Sequence, residues 1–252
     1  MNKPFRLAIG IPDNHPTWRK PFIASLLGMM DGLRSFTAGE AREGRGYEIQ
    51  LIFADKGGVA DMRNAIANAA VDGGYDAIMW LDSDMVFPDY TIWKLLSHFV
   101  LNPEIEAVSG LYTHKQPPYM PHVYGRYDEE EKKYRVSCSF SLKDPFYIDG
   151  AGFGCLLMRT SVFARVERPY FTMKIEDGIL RVGEDLGFCT QAKMKMVLDP
   201  TVSCGHLSER AYGIKDHLAL TGAQVVDDQI CMTKEQQDDL IAKMPSYFQN
   251  EN

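Results

Sequence analysis

Residues 75 to 89 read YDAIMWLDSDMVFPD. From Ala77 to Leu81 every position is apolar, so the run has no face to offer water, and a strand of that kind belongs in a sheet covered on both sides. It stops at Asp82 and Asp84, which straddle Ser83. On extended backbone, residues two apart share a side, which would bring the two carboxylates close together. Like charges that close repel, so the fold has to supply something that compensates them.

The chain before this point alternates apolar runs with helix-period segments, the pattern of βαβ units around a mostly parallel sheet. RLAIGIP is the first strand. Trp18, Phe22, Leu26, Met29 and Leu33 then recur at steps of three or four and predict a helix that ends before a glycine-rich, charged connection over 39–46. YEIQLIFAD is the second strand, and GGVADMRNAIANAAVDGG a second helix closed by glycines. After the AIMWL strand come a helix bounded by prolines, PDYTIWKLLSHFVLNP, and the strand EAVSGLY. From about residue 112 the Pro-, Tyr- and charge-rich stretch THKQPPYMPHVYGRYDEEEKKYRV predicts a hairpin over an irregular excursion. IDGAGFGCLLMRTSVF reads as strand into helix, GEDLGFC as a short helix and MVLDPTVSCGHL as a strand. Thr233 and Gln236 form a capping box that opens a terminal helix. The fold class is α/β: a mostly parallel sheet flanked by helices, with a smaller antiparallel region.

Charge and cysteine usage narrow the function. The net charge is −7 with cations scattered among acids, so no basic stripe is available for a nucleic-acid backbone. No stretch reaches the ~18 apolar residues of a transmembrane helix. Five cysteines without a CxxC pair fit reduced thiols and a cytoplasmic setting.

In an open parallel sheet, ligands bind beyond the carboxyl ends of the strands. Strand one delivers Pro12 and Asp13 to that rim, strand two delivers Asp55, and the AIMWL strand delivers Asp82 and Asp84. Crowded carboxylates suit a hard cation such as Mg²⁺ or Mn²⁺ bridging protein to phosphates, while Asp13 or Asp55 can accept hydrogen bonds from a base or ribose. Together they describe a nucleoside-diphosphate site.

WLDSDMVF resembles the Asp-x-Asp motif of glycosyltransferases with the GT-A (Rossmann-like) fold, in the neighbourhood of the family 2 enzymes. VADMRNAIANAA is similar to their Arg-Asn helix, IDGAGFGCLLMRTSVF to their acceptor-side segment, GEDLGFC to the acidic motif that begins a catalytic helix, and DPTVSCGHL to the strand with a late histidine. These elements follow the family's order over residues 7 to 207. The resemblance implies a nucleotide-sugar donor, a carbohydrate or other hydroxyl acceptor, and Mn²⁺ or Mg²⁺. It implies metal ligation by Asp84, His206 and Asp82, nucleotide contacts from Pro12, Asp13, Asp55, Arg63, Asn64, Asp82 and Ser83, and sugar or acceptor contacts from Asp149, Gly150, Ala151 and Gly152. Asp185 is then the base, with Glu184 the second choice. One domain over 1–252 is expected, with a nucleotide half to about 111, an acceptor half over 112–210 and a lid or tail over 211–252.

Two other classes compete. A sugar nucleotidyltransferase shares fold and metal chemistry but calls for a glycine-rich, basic loop after strand one, where GIPDNHPTWRK offers one glycine. A nucleotide- or carbohydrate-binding module without catalysis would have no need of Asp84, Asp185 and His206 together.

Overall fold

The computed structural model describes residues 3–13, 15, 17–176, 179–208 and 210–242. The first strand β1 (Phe5–Pro12) leads to helix α1 (Lys20–Arg42), then to β2 (Tyr47–Ala54), α2 (Val59–Asp72), β3 (Ala77–Leu81), the short β4 (Met85–Val86), α3 (Thr91–Leu101) and β5 (Ala107–Leu111). The excursion that follows carries the hairpin β6 (Tyr124–Asp128) and β7 (Lys133–Val136), then β8 (Phe146–Ile148). The chain re-enters the sheet as β9 (Cys155–Arg159), and a ribbon of β10 (Lys174–Glu176) and β11 (Ile179–Val182) precedes α4 (Glu184–Ala192) and β12 (Met196–Ser203). Last come β13 (Gly205–Leu207), β14 (Ala211–Tyr212), α5 (Ile214–Thr221), the ribbon β15 (Gln224–Val226) and β16 (Gln229–Cys231), and α6 (Lys234–Ala242).

Seven strands form the central sheet in the order β2-β1-β3-β9-β5-β12-β8. The pairs β1–β2, β1–β3 and β5–β12 are parallel, while β9 runs antiparallel to both of its neighbours and β8 is an antiparallel edge. The α/β class is therefore as expected, a mostly parallel sheet with helices on both faces and small antiparallel sheets beside it. Side-chain alternation in β1 and β3 sorts the core: Leu7, Ile9, Ile11, Met79 and Leu81 pack with Phe22, Leu26, Met29 and Leu33 of α1 and Leu95 and Phe99 of α3. Ala8, Ile78 and Trp80 face the other layer, with Ile66 and Ala70 of α2 and Phe188 of α4. Gly10 lets α2 approach this closely, since a Cβ there would lie 2.6 Å from Ile66 Cγ2.

Three local expectations change. Helix α1 runs through Gly39 to Arg42, over half of the stretch expected to be a connection. The segment after β9 is a six-residue 3₁₀ turn, Thr160–Arg165, in place of a helix. The Asp82–Asp84 stretch is a turn, closed by the Met85 amide donating to the Asp82 carbonyl at 3.2 Å, so the two carboxylates do not share an extended face. The capping box is present, with reciprocal bonds of 2.8 and 3.2 Å between Thr233 and Gln236. Among the described residues no helix is long and apolar enough to cross a membrane.

Candidate functional site

The carboxyl ends of β1, β3 and β5 and the start of the antiparallel β9 meet at one rim, because Leu81 is opposite Cys155 in the β3–β9 pairing. Just past Pro12, the end of β1, Asp13 is buried and accepts from the Ser83 hydroxyl and the His15 amide, both at 3.0 Å through Oδ1. Ser83 thus ties the β3 turn to the end of β1. Among the described residues Asp13 Oδ2 is buried with no partner, an acceptor oxygen left over for a ligand's N–H or O–H. Asp55, beyond β2, is exposed.

The turn divides its two acids between different cations. Asp82 takes the Arg63 guanidinium, with Nη2 3.1 and 3.3 Å from its oxygens. Burial pushes the Asp82 carboxyl up; Arg63 opposes this and nearby Asp84 adds to it. Asp84 receives the Lys115 ammonium at 2.9 Å and lies 3.3 Å from His206 Nε2, both at Oδ2. Burial raises that carboxyl as well, but His206 and Lys115 outweigh it and hold Asp84 below the usual carboxylate range. The compensation demanded by the sequence is therefore two separate cations.

Arg63, on α2, is only 3% exposed and serves as the hub. Besides Asp82 it has Nη1 3.1 Å from Glu184 Oε1, a charge contact without hydrogen-bond geometry, and its guanidinium lies 5.3 Å from the Phe153 ring centre. Burial works against its charge, and Asp82, Glu184 and Asp185 together overcome that and raise its pKa. Asn64 is differently employed: its amide donates to the Phe171 carbonyl at 2.7 Å and accepts the Phe171 amide at 3.0 Å. Each end of that side chain makes one bond that holds the chain behind the site.

At the start of α4, Glu184 and Asp185 have become unequal. Glu184 is committed to Arg63, whereas Asp185 accepts the Leu186 amide with Oδ1 at 2.7 Å and keeps Oδ2 toward Gly152. Burial raises both carboxyls, and Arg63 opposes it in both. A Cβ on Gly152 would collide with Tyr112 Oη and lie 3.2 Å from His122 Nδ1 and 3.3 Å from Asp185 Oδ2. Three polar atoms thus converge on Gly152 and pack against it so closely that no larger residue fits there. Tyr112 Oη accepts the Gly154 amide at 3.1 Å, and among the described residues His122 Nδ1 is buried without a partner. The His122 ring is stacked between Tyr112 and His114, with centroids at 4.6 and 3.8 Å, and burial drives its pKa well down. It is a neutral imidazole at ordinary pH.

Sequence reasoning gave Tyr112 and His122 no role of their own, because they sit in a stretch crowded with similar residues. Position is the one sequence signal, and only for Tyr112, which directly follows β5; His122 lies eleven residues beyond Leu111, within the excursion. Of the acceptor-side residues, Asp149 is exposed and accepts the Tyr127 amide at 2.7 Å, so its carboxylate fastens the β6 hairpin. Gly150 packs under Tyr134, where a Cβ would come within 2.6 Å of Cε1, and Ala151 is fully buried. Of this group it is Gly152 that packs against Tyr112, His122 and Asp185.

Among the described residues no group of three His, Cys, Asp or Glu side chains is placed to hold a metal ion. Asp84 and His206 nevertheless fit one in a narrower way. His206 Nδ1 is 2.8 Å from the Thr113 carbonyl, an oxygen that only accepts, so Nδ1 carries a proton and Nε2 is left for the Asp84 carboxylate 3.3 Å away. Nε2 and Asp84 Oδ2 share one position, filled by a proton on the imidazolium or by a cation once Nε2 is deprotonated. Hard divalent ions are commonly held by one or two protein groups plus substrate phosphates, which is what two donors on one side of a site can supply.

No protein-family model and no curated protein matches the sequence. Solved structures do match in fold. Protein A197 from STIV is 19% identical with a TM-score of 0.54, over 84% of this chain and 92% of A197. GalNAc-T7, solved with UDP, GalNAc and Mn²⁺, is 10% identical with a TM-score of 0.50, over 98% of this chain. The chain spans 52% of the length of GalNAc-T7. At these identities the likeness is one of fold, and the chain has a GT-A-like α/β arrangement.

Proposed function

We propose that the chain is a metal-dependent glycosyltransferase that moves a sugar from a nucleotide-sugar donor to a hydroxyl of a carbohydrate or other acceptor. It would work as one domain whose nucleotide half extends to about residue 111, whose acceptor half covers 112–210, and whose closing segment is 211–252. The observation that carries this reading is the division of labour at the rim. Asp84 Oδ2 and His206 Nε2 face each other at 3.3 Å on one side, and Asp185 turns Oδ2 toward Gly152, beside Tyr112 and His122, on the other. The resemblance of the Asp-Ser-Asp turn to the Asp-x-Asp motif agrees with it. The free cysteines favour a reducing, cytoplasmic setting.

Asp13 Oδ2 and Ser83 would hold the nucleoside, with Pro12 shaping the floor and Asp55 at the open edge. Arg63 would act through Asp82, keeping that carboxylate ionised beside the phosphates. Asp84 and His206 would hold a divalent ion, whose chemistry would be to neutralise charge on a departing diphosphate. Tyr112 and His122 would seat the acceptor hydroxyl beside Gly152, within reach of Asp185. If the anomeric centre inverts, Asp185 takes the hydroxyl proton, a role favoured by its raised pKa. If configuration is retained, the same carboxylate positions the acceptor.

The test is turnover of UDP-, GDP-, ADP- and CDP-sugars with Mn²⁺ and a panel of saccharide acceptors, followed by release of nucleoside diphosphate. One donor class should turn over, and Asp185→Asn should slow transfer by about 10²-fold or more with donor binding intact. Absence of turnover for every donor, or an Asp185→Asn variant as fast as the parent, would contradict the reading.

A further inference from the structure

Asp84 Oδ2 already has a cation. Lys115 Nζ lies 2.9 Å from it, on the oxygen that also faces His206 Nε2. The Asp84 side chain is 16% exposed and that of Lys115 47% exposed, so the ammonium reaches a nearly closed carboxylate on a stem with room to withdraw. Lys115 stands two residues after Thr113, whose carbonyl fixes the His206 tautomer. One short stretch therefore orients the imidazole and supplies a positive charge to the carboxylate that the imidazole faces.

We propose that Lys115 is a tethered counter-cation for the metal site: it neutralises Asp84 while no divalent ion is present, gives way when one binds, and then pairs with the donor's diphosphate. This rests on the glycosyltransferase reading for the identity of the diphosphate. An ammonium and a divalent ion cannot both sit on one carboxylate oxygen, because their repulsion at that separation exceeds what a half-exposed ion pair returns. Once displaced, the ammonium is a compact charge on a flexible stem beside a newly arrived polyanion, and lysine suits phosphate in that way. A lysine forming only a surface ion pair would leave metal affinity unchanged.

The experiment is a titration of Mn²⁺ followed by its free electron paramagnetic resonance signal, on the parent, Lys115→Met and Asp84→Asn. It is paired with calorimetric binding of UDP, GDP, ADP and CDP at saturating Mn²⁺. Lys115→Gln repeats the measurement with a second uncharged side chain, and melting curves check each fold. Without nucleotide, Lys115→Met should bind Mn²⁺ about tenfold tighter than the parent, and with Mn²⁺ it should bind the preferred nucleoside diphosphate about tenfold more weakly. Opposite signs for the two ligands are the signature. Unchanged or weaker Mn²⁺ binding by Lys115→Met overturns the counter-cation role, and the site reading survives if Asp84→Asn alone loses Mn²⁺-dependent nucleotide binding. If parent and Lys115→Met bind neither Mn²⁺ nor any of the nucleotides, the site reading falls and this proposal with it.

Discussion

Removal of the Arg63 guanidinium would leave Asp82, Glu184 and Asp185 at the rim without the cation that holds their charges together. Breaking a buried ion pair from one side typically costs about 3–5 kcal/mol. Arg63→Met should therefore lower stability by about 3 kcal/mol in urea unfolding, and Arg63→Lys should recover only part, since one ammonium cannot span two partners. A variant within 1 kcal/mol of the parent would mean that the carboxylates find other compensation. His114 makes a second case at this scale. Burial, helped by the charge of His206, takes its pKa down to about 4, whereas in the unfolded chain it titrates near 6.5. Between those values the unfolded chain binds more protons. The stability that comes from a neutral His114 is thus present above about pH 6.5 and lost as pH falls toward 4. Asp82, Glu184 and Asp185, with raised pKa values, act in the opposite sense, so only a difference isolates the histidine. Relative to the parent, His114→Asn should gain about 2 kcal/mol in stability between pH 7 and pH 5. No change in the difference between the two proteins would contradict the assigned shift.

The elements at the rim are held by glycines as much as by acids. The β8–β9 connection passes Gly152 so close to Tyr112 that a methyl group collides with the hydroxyl. Gly152→Ala should cost about 2 kcal/mol, within the range for overpacking a filled site, and Tyr112→Phe should restore part of it in the double variant. Strict additivity of the two substitutions in urea unfolding would show that the contact is not what excludes the methyl. At this scale the sequence was informative where the chain repeats a period. Apolar runs marked the strands at 5–12, 77–81 and 107–111, and helix spacing with bounding glycines and prolines marked α1 to α3. The Asp-Ser-Asp run misled because alternation assumes extended backbone, and one amide bonding back to Asp82 turns it. The competition between Glu184 and Asp185 had no local answer either: what separates them is Arg63, distant in the chain. Asn64 looked free for a ligand because its partner, the Phe171 backbone, is 107 residues away.

For the whole molecule, the excursion after β5 is clamped by the C-terminal segment. Tyr119 stacks on Tyr212 with centroids 4.5 Å apart, His217 Nδ1 donates to the Pro118 carbonyl at 3.1 Å, and Leu240 packs on Met120. Ile230 of β16 is 1% exposed in the main core, its amide bonded to Phe140 at 2.9 Å. The expected lid over 211–252 is thus seated through residue 242, and its last ten residues lie outside the described residues. Ile230→Ala should cost about 3 kcal/mol and open the 222–233 stretch to protease before the rest of the chain, as read by limited proteolysis. Cleavage that begins elsewhere would separate this segment from the clamp. Since the clamped excursion carries His114, Lys115 and His122, a ligand held by those residues should be felt at the C-terminal elements. The central claim is that the rim binds a nucleoside diphosphate through a divalent ion on Asp84. Its most direct test is a thermal-shift panel of UDP, GDP, ADP and CDP, each with and without Mn²⁺, on the parent and Asp84→Asn. The account predicts one nucleotide that raises the melting temperature only with Mn²⁺ and only in the parent; equal shifts in both proteins, or none with any nucleotide, would contradict it.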